Sequence, residues 1–384
     1  MDTETSKVMF ALLRSAVCGD PLTDGEKALF HADMLPRIVR TAQRHDVAHL
    51  LALGLKRNRL PDESGGQLDA ELFRAVYRHE QMNYELTRLC GELEKAEIPF
   101  IPLKGSVLCR YYPEPWMRTS CDIDILVHGE DLERAVSALE EHLAYRREGK
   151  SPHDVSMFTR DGRHTELHYS LAEAGGPAAK VLGEVWRMAV RREGHAYCFG
   201  MPDEMFYFYH IAHMAKHFEN GGCGIRPFLD VWVLNHRVPF DREKRGRLLA
   251  DGGLSTFAEQ AGLLSEIWFG EARHTELTRK MQTYILRGGL YGADENRIAV
   301  QQQKRGGKIG YALSKIFIPY DTIRFHYPIL ERHRWLTPAM EVRRWGKLIF
   351  CGHLRRTARE LRYSGSISKD MAESTRAFLK ELGL

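Results

Sequence analysis

Hydrophobic residues recur every three or four positions from about residue 10 to about residue 95, which is the spacing of amphipathic helices. A Gly-Asp-Pro turn at residues 19–21 and the Pro- and Gly-containing segment 61–66 interrupt this pattern, so several helices are predicted. The last of them is predicted over residues 68–96. The pattern therefore predicts a helical N-terminal region over residues 1–97.

The middle of the chain alternates between short apolar runs and short helical stretches, which is typical of an α+β domain. Strands are predicted from Ile98 and at residues 122–127, and a helix is predicted at residues 130–143. Two further alternating runs, residues 154–160 and 163–171, are separated by Asp-Gly, which tolerates the positive φ angles of a tight turn. These two runs predict a β-hairpin.

After Pro202 the spacing of apolar residues is helical again, with breaks at Gly221-Gly222 and at several prolines. The whole chain is therefore predicted to have an α+β fold with a small mixed β-sheet core over residues 98–200. The N-terminal helices and a mostly α-helical C-terminal domain, residues 201–384, are expected to flank this core.

The composition is that of a folded, soluble protein, with 43% hydrophobic and 28% charged residues among 384. The net charge of +4 is too small to require a nucleic-acid partner, and the seven cysteines lie far apart without a C-x-x-C pair, as expected of reduced thiols. The N-terminus lacks the features of a secretory signal, and no apolar run is long enough to span a membrane. We therefore expect a cytoplasmic protein without a membrane span.

Asp122 and Asp124 are the first candidates for chemistry. Side chains alternate across a strand, so both carboxylates project from one face, while Ile123, Ile125 and Val127 enter the core. Like charges so placed repel each other unless a cation lies between them, and oxygen ligands of this kind suit Mg²⁺. The pair predicts a metal site, although an Asp-x-Asp pair taken alone also fits a solvated strand edge.

Glu166 and His168 lie on the second strand of the predicted hairpin and share one face with Ser170. Glu166 is predicted to be a third carboxylate of the same site. Three acids allow two metal ions to lie close together, one polarising an attacking hydroxyl and the other bridging the leaving phosphate oxygens. For His168 three roles remain open: orienting a ligand, a hydrogen bond within the sheet, and proton transfer.

Lys104-Gly105-Ser106 stands where the first predicted strand meets the following short helix. A glycine there permits close approach of the backbone, and free amide groups at such a junction bind phosphate. Ser106 would add a hydroxyl donor. A plain turn in which Ser106 caps the helix is the simpler explanation of the tripeptide taken alone, so its interpretation depends on the elements around it.

Four motifs, taken in chain order, resemble those of a family of largely uncharacterised bacterial nucleotidyltransferases of the DNA polymerase beta superfamily. They are Lys104-Gly105-Ser106, Arg118, Asp122-Ile123-Asp124 and Glu166-Leu167-His168. The signature of that superfamily is a hydrophobic-Gly-Ser turn, a later Asp-x-Asp strand and a third acid on a following strand. Segments 202–204, 213–218 and 225–230 resemble the helical C-terminal half of the family, so the resemblance covers about three-quarters of the chain, counted from the end of the N-terminal helices.

The resemblance implies a small mixed sheet of the polymerase beta type, in which Asp122, Asp124 and Glu166 hold the metal ions and carry the catalysis. The implied cofactors are two Mg²⁺ ions, for which Mn²⁺ can substitute, and the implied substrate is a nucleoside triphosphate such as ATP. The implied reaction transfers a nucleoside monophosphate to a hydroxyl group of a small molecule, peptide or protein and releases pyrophosphate. A nucleic acid is not required as partner.

Triphosphate binding is implied for Gly105 and Ser106. Lys104 and Arg118 match family positions whose positive charge would neutralise the triphosphate, and the planar guanidinium of Arg118 suits phosphate oxygens. Fifteen residues separate Ser106 from the Asp-x-Asp strand, which is longer than the usual gap in the superfamily, and the loop 111–115 accounts for the extra length.

Histidines 210, 213 and 217 are spaced three and four residues apart, which places them on neighbouring faces of one helix. The sequence lacks the full metalloprotease pattern, which favours pocket histidines over zinc ligands. His213 and His217 are therefore candidates for the wall of a substrate pocket. The aromatic run 206–209 is predicted to belong to the core.

Two other functions fit parts of the sequence. One is a nucleotide-binding regulatory module without catalysis, although all three acids are present. The other is an enzyme that adds nucleotides to RNA 3′ ends, for which the basic segment 332–362, with nine Lys or Arg against two Glu, is the supporting feature. No RNA-recognition motif accompanies it, and the segment also fits solvated helical faces or contact with a membrane surface.

Overall fold

The structure is a computed structural model, and it describes residues 2–62, 66–172, 176–290, 292–350 and 369–384. Most of these residues are helical, and a five-stranded mixed sheet lies among the helices. This architecture confirms the predicted α+β fold class.

Helices fill the N-terminal region up to the first strand, as the apolar spacing predicts. Asp2 caps the first of them by accepting a hydrogen bond from the Thr5 amide at 2.8 Å, and Thr23 with Glu26 forms a capping box on the second. The helices are α1 Thr3–Cys18, α2 Asp24–Ala28, α3 Leu35–Arg44, α4 Ala48–Arg57 and α5 Gln67–Lys95.

The sheet has the strand order β1-β2-β5-β4-β3, in which β2 and β5 are parallel and the other neighbours are antiparallel. The predicted hairpin is confirmed as β4 and β5, with Gly162 at a φ of 84° in the turn. The elements of this region are β1 Phe100–Pro102, α6 Gly105–Leu108, β2 Asp122–Val127, α7 Leu132–Leu143, β3 Arg146–Lys150, β4 Asp154–Phe158 and β5 His164–His168.

The strand β3 was not predicted. All its residues are exposed, and its sequence Arg-Arg-Glu-Gly-Lys contains no apolar residue, so it leaves no hydrophobic signal. Charged residues on an edge strand also discourage pairing with another chain. The strand is therefore defined by its pairing with β4 alone.

Helices dominate the chain after the sheet, as predicted, apart from a short two-stranded ribbon formed by β6 Val190–Arg191 and β7 Phe199–Gly200. The predicted burial of the aromatic run 206–209 is confirmed. The helices are α8 Pro177–Gly183, α9 Val185–Met188, α10 Asp203–Glu219, α11 Arg226–Arg237, α12 Arg242–Asp251, α13 Ser255–Phe269, α14 Glu276–Arg287, α15 Asp294–Lys304, α16 Lys308–Ile316, α17 Tyr320–His326, α18 Ile329–Arg332, α19 Thr337–Phe350 and a final helix Lys369–Glu381.

Two large apolar cores and a small one around Tyr311 lie among the described helices and strands. One joins the sheet face of Ile123, Ile125 and Val127 to α7 and the second half of α5. The larger one includes residues of both the N-terminal and the C-terminal helices, and the rings of Phe10 and Trp268 stack within it at 4.4 Å. The helices that precede and follow the sheet therefore share a core.

The basic segment 332–362 lies only partly within the described residues, because residues 351–368 are outside them. In the ranges that the structure covers, no helix combines the length and apolar character needed to cross a membrane. The six cysteines in those ranges are free thiols, in agreement with the sequence-based interpretation.

Candidate active site

The register of β2 and β5 brings the predicted acids together. Asp124 lies opposite Glu166, and Asp122 lies opposite His164. Paired positions of neighbouring strands face the same way, so these side chains project from one face of the sheet. Two sets of potential ligand atoms each lie within 4.8 Å of one another: Asp122, His164 and Glu166, and Asp124, Glu166 and His168.

Lys104 places a positive charge among these acids. Its Nζ donates to Asp124 Oδ1 at 2.6 Å and lies 3.9 Å from Glu166 Oε2. The backbone of Lys104 has φ 44° and ψ −121°, a conformation that is costly for a residue with a side chain. Such strain persists where the surrounding structure fixes it, and it clusters at functional sites.

The surroundings of Asp122 and Asp124 drive their pKa values apart. Burial would raise the pKa of Asp124, but the ammonium of Lys104 and the hydrogen bonds from His168 and Lys104 lower it below the usual range. Burial and the neighbouring carboxylate of Asp124 raise the pKa of Asp122. Asp124 is therefore held as a carboxylate, whereas for Asp122 burial and the charge of Asp124 outweigh the attraction of the Lys104 ammonium.

His168 contacts two of the acids. Its Nε2 lies 2.8 Å from Asp124 Oδ1 and 3.3 Å from Glu166 Oε2. Burial would lower the pKa of His168, but the hydrogen bonds to Asp124 and Glu166 outweigh burial and raise it. Among the roles left open by the sequence, this geometry favours a group that orients the carboxylates or joins them as a ligand.

The donor set fits a divalent cation. Three carboxylates face one ammonium group, so an excess of negative charge remains to be neutralised. His164 Nε2 lies 3.9 Å from Glu166 Oε1, and it is buried without a hydrogen-bond partner among the described residues. A buried ring nitrogen beside carboxylates is an atom that a metal ion would satisfy.

Gly105 begins α6 next to the acids, at a position without room for a side chain. A Cβ there would lie 1.7 Å from Ser120 Oγ and 2.9 Å from Ser120 Cβ. The amides of Val107 and Leu108 donate to the carbonyl of Lys104. The first-turn amides of Gly105 and Ser106 have no partner within the helix, which is the state expected of amides that bind phosphate.

The variant Gly105→Ala is expected to lower the free energy of unfolding by about 1–3 kcal/mol, because the added methyl group overlaps Ser120. Urea denaturation measures the loss, and Gly105→Ala/Ser120→Gly should recover most of it. Gly91→Ala is a matched control because a Cβ at Gly91 meets no atom within 4 Å. Wild-type stability of Gly105→Ala would show that the turn is not packed in this way.

Arg118 lies in the wall of the same cavity, but protein groups bind its guanidinium. Its Nε donates to Asp230 Oδ1 at 2.7 Å and its Nη1 donates to the Thr119 carbonyl at 2.5 Å. The hydroxyl of Tyr112 donates to the same oxygen of Asp230 at 2.7 Å. A buried ion pair is thus a structural role of Arg118 that the sequence did not indicate.

The helix α10 faces the acids across a cavity of about 780 Å³. His213 and His217 line this cavity with their Nε2 atoms 3.0 Å apart, and burial together with Lys104 keeps the pKa of His213 well below its usual value. His210 also lines the cavity, and its Nε2 lies 3.2 Å from the Pro227 carbonyl. The structure therefore places His213 and His217 in the wall of this cavity.

Sequence reasoning missed two residues of the site. Tyr209 was assigned to the core alone, yet it lines the cavity, and it lies four positions before His213 on α10. His164 was overlooked, although the alternation His164-x-Glu166-x-His168 places all three side chains on one face of β5. Extending each pattern by one repeat would have found both residues.

Comparison with models of protein families gives a match to part of the chain. Residues 33–270 match the sequence model of a family described as an uncharacterised nucleotidyltransferase. The match begins within the N-terminal helices and ends after α13, so it starts and stops earlier than the resemblance of the motifs predicted. No curated protein and no solved structure matches the chain. Because the match spans more than half of the chain, this protein belongs to that family of uncharacterised nucleotidyltransferases.

Proposed function

We propose that this protein is a metal-dependent nucleotidyltransferase that moves a nucleoside monophosphate from a nucleoside triphosphate to a hydroxyl acceptor and releases pyrophosphate. The convergence of Asp122, Asp124 and Glu166 beside the Lys104-Gly105 turn carries this proposal. The family match supports it. We also propose that the five-stranded sheet is a polymerase beta-like core.

In this proposal the three acids hold two divalent ions, Mg²⁺ or Mn²⁺. When bound, such ions lower the pKa of an attacking hydroxyl and stabilise charge on the leaving phosphate. Asp124, whose pKa is lowered by Lys104 and His168, is proposed as the carboxylate ligand that remains ionised before a metal ion binds. His168 positions Asp124 and Glu166 through its contacts with both.

The nucleotide is proposed to bind along the turn that precedes α6. Gly105 and Ser106 offer backbone amides and a hydroxyl to the β and γ phosphates, and Lys104 neutralises their charge. The helices before residue 98 and after residue 200 would form the walls that select the base and the acceptor. Tyr209, His213 and His217 on α10 belong to that wall.

The ammonium group of Lys104 contacts the carboxylates of Asp124 and Glu166, which a metal ion would otherwise neutralise. We propose that Lys104 turns toward the triphosphate when the nucleotide binds. Lys104→Met is then expected to raise the affinity for Mg²⁺ about tenfold without nucleotide, because a competing charge is removed. The same variant is expected to bind nucleoside triphosphate at least about tenfold more weakly. Isothermal titration calorimetry measures both affinities, with the surface variant Lys95→Met as control. Unchanged affinities would contradict this role of Lys104.

Pyrophosphate release, measured with each nucleoside triphosphate over panels of small-molecule, peptide, protein and RNA acceptors, tests the proposed function. Release that depends on both a divalent ion and one acceptor class supports transfer. Release only with RNA would indicate 3′-end addition. Tight, metal-dependent nucleotide binding without release on any panel would indicate a regulatory module and overturn the proposal.

A further inference from the structure

We propose that Asp122, His164 and Glu166 form an outer metal half-site that binds a divalent transition ion, tested here as Mn²⁺, in preference to Mg²⁺. The outer half-site is expected to bind its ion before the nucleotide arrives. This inference rests on the proposed function, since it concerns the identity of the metal at the same acids.

Glu166 is shared between two half-sites. Its Oε1 lies 3.9 Å from His164 Nε2, and its Oε2 lies 3.3 Å from His168 Nε2. The two-residue period of β5 places one imidazole on each side of the carboxylate. The outer half-site consists of Asp122, His164 and Glu166. The inner half-site consists of Asp124, Glu166 and His168.

The imidazole of His164 is held in place without a hydrogen bond to its Nε2. Phe158 lies opposite His164 in the register of β4 and β5, and the two rings stack at 4.4 Å with an interplanar angle of 11°. Burial shields the Nε2 atom from water, and it has no hydrogen-bond partner among the described residues. A ligand atom that is already oriented and desolvated binds an ion at a lower entropic cost.

In the structure, protein groups already occupy the Asp124 oxygen that an ion would bind in the inner half-site. Asp124 Oδ1 accepts from Lys104 Nζ at 2.6 Å and lies 2.8 Å from His168 Nε2. Neither group contacts Asp122, which the structure leaves without an ion pair in the described part of the chain. One ion is therefore expected to bind in the absence of nucleotide, at the outer half-site.

The ligand atoms of the outer half-site determine which divalent ion it prefers. Mg²⁺ prefers an octahedron of oxygen ligands and gains little from an imidazole. First-row transition ions bind imidazole nitrogen well, and Mn²⁺ also accepts carboxylate oxygens. Two carboxylates with one imidazole therefore favour the transition ion.

Isothermal titration of the full chain with MnCl₂ and with MgCl₂, without nucleotide, tests this inference. We expect one Mn²⁺ ion per chain, bound at least about tenfold more tightly than Mg²⁺. The variant His164→Gln is expected to weaken Mn²⁺ binding by about 10-fold or more and to change Mg²⁺ binding by less than about 3-fold. His142→Gln is the matched control, because His142 also pairs with a carboxylate, that of Glu92 at 3.1 Å, outside the site.

Phe158→Leu, which keeps the imidazole but removes the stacked ring, is expected to weaken Mn²⁺ binding less than His164→Gln does. Equal affinities of the wild-type chain for Mn²⁺ and Mg²⁺ would overturn the inference whatever the variants do. An unchanged Mn²⁺ affinity in a folded His164→Gln chain would overturn it as well. In either case Mg²⁺-dependent pyrophosphate release would leave the proposed function standing, whereas loss of release with both ions would count against the function itself.

Discussion

The variant Asp124→Asn is expected to lower pyrophosphate release by about 10³-fold or more while the fold is retained. Asp124 is 2% exposed, and Lys104 together with His168 lowers the pKa of its carboxyl group below the usual range. An amide of the same shape has no charge with which to hold a divalent ion. Steady-state pyrophosphate release, with circular dichroism as a check on folding, measures this effect.

Folding should survive the loss of the Asp124 charge, because Lys104 still has Glu166 at 3.9 Å and is itself partly exposed. We expect the free energy of unfolding to fall by less than about 2 kcal/mol. Asp131→Asn is the matched control, since Asp131 pairs with Arg134 on the surface. Wild-type turnover of Asp124→Asn would contradict the proposed metal role.

The variant Asp230→Asn is expected to lower the free energy of unfolding by about 3–5 kcal/mol, which is the largest effect on stability predicted for this chain. Asp230 is fully buried, and Arg118 is 8% exposed, so the substitution leaves a guanidinium in the interior without its counter-charge. The hydroxyl of Tyr112 would keep only an amide oxygen as acceptor. Urea denaturation at neutral pH measures the loss.

The dependence of stability on pH gives a second measurement of the same pair. Burial would raise the pKa of Asp230, but Arg118 lowers it overall. A depressed pKa contributes stability above the pKa of the unfolded chain, about 4 for an aspartate, and this contribution is lost as the pH falls through the lower, folded value. Asp230→Asn should therefore weaken the acid dependence of stability.

The double variant Arg118→Met/Asp230→Leu is the control for the buried pair. It removes both charges, so it should recover a large part of the stability that Asp230→Asn loses. Wild-type stability of Asp230→Asn would show that Arg118 does not depend on this partner.

Local patterns in the sequence predicted the parts of the fold that place the acids. The alternation in 122–127 predicted β2 with its exact limits, and the Asp-Gly turn predicted the hairpin that carries Glu166. Each of these signals lies within a few residues, where the period of a strand or the geometry of a turn is sufficient. The chain order of the motifs then indicated the family that the comparison confirms.

Contacts between distant residues could not be predicted in the same way. Arg118 and Asp230 are separated by 112 positions, and Lys104 and Asp124 by 20. Such pairs depend on how α11 and the turn before α6 pack against the sheet, which no local pattern encodes. The exposed strand β3 could not be predicted for a different reason, because a strand without apolar residues gives no periodic signal.

Transfer of label from nucleoside triphosphate carrying ³²P at the α or at the γ position tests the central claim most directly. Over the same panels of small-molecule, peptide, protein and RNA acceptors, we expect the α label to become attached to the acceptor and the γ label to leave as pyrophosphate. Both results should require a divalent ion and should disappear in Asp124→Asn. Attachment of γ label to the acceptor, with α label remaining in the nucleoside diphosphate, would contradict nucleotidyl transfer at these acids.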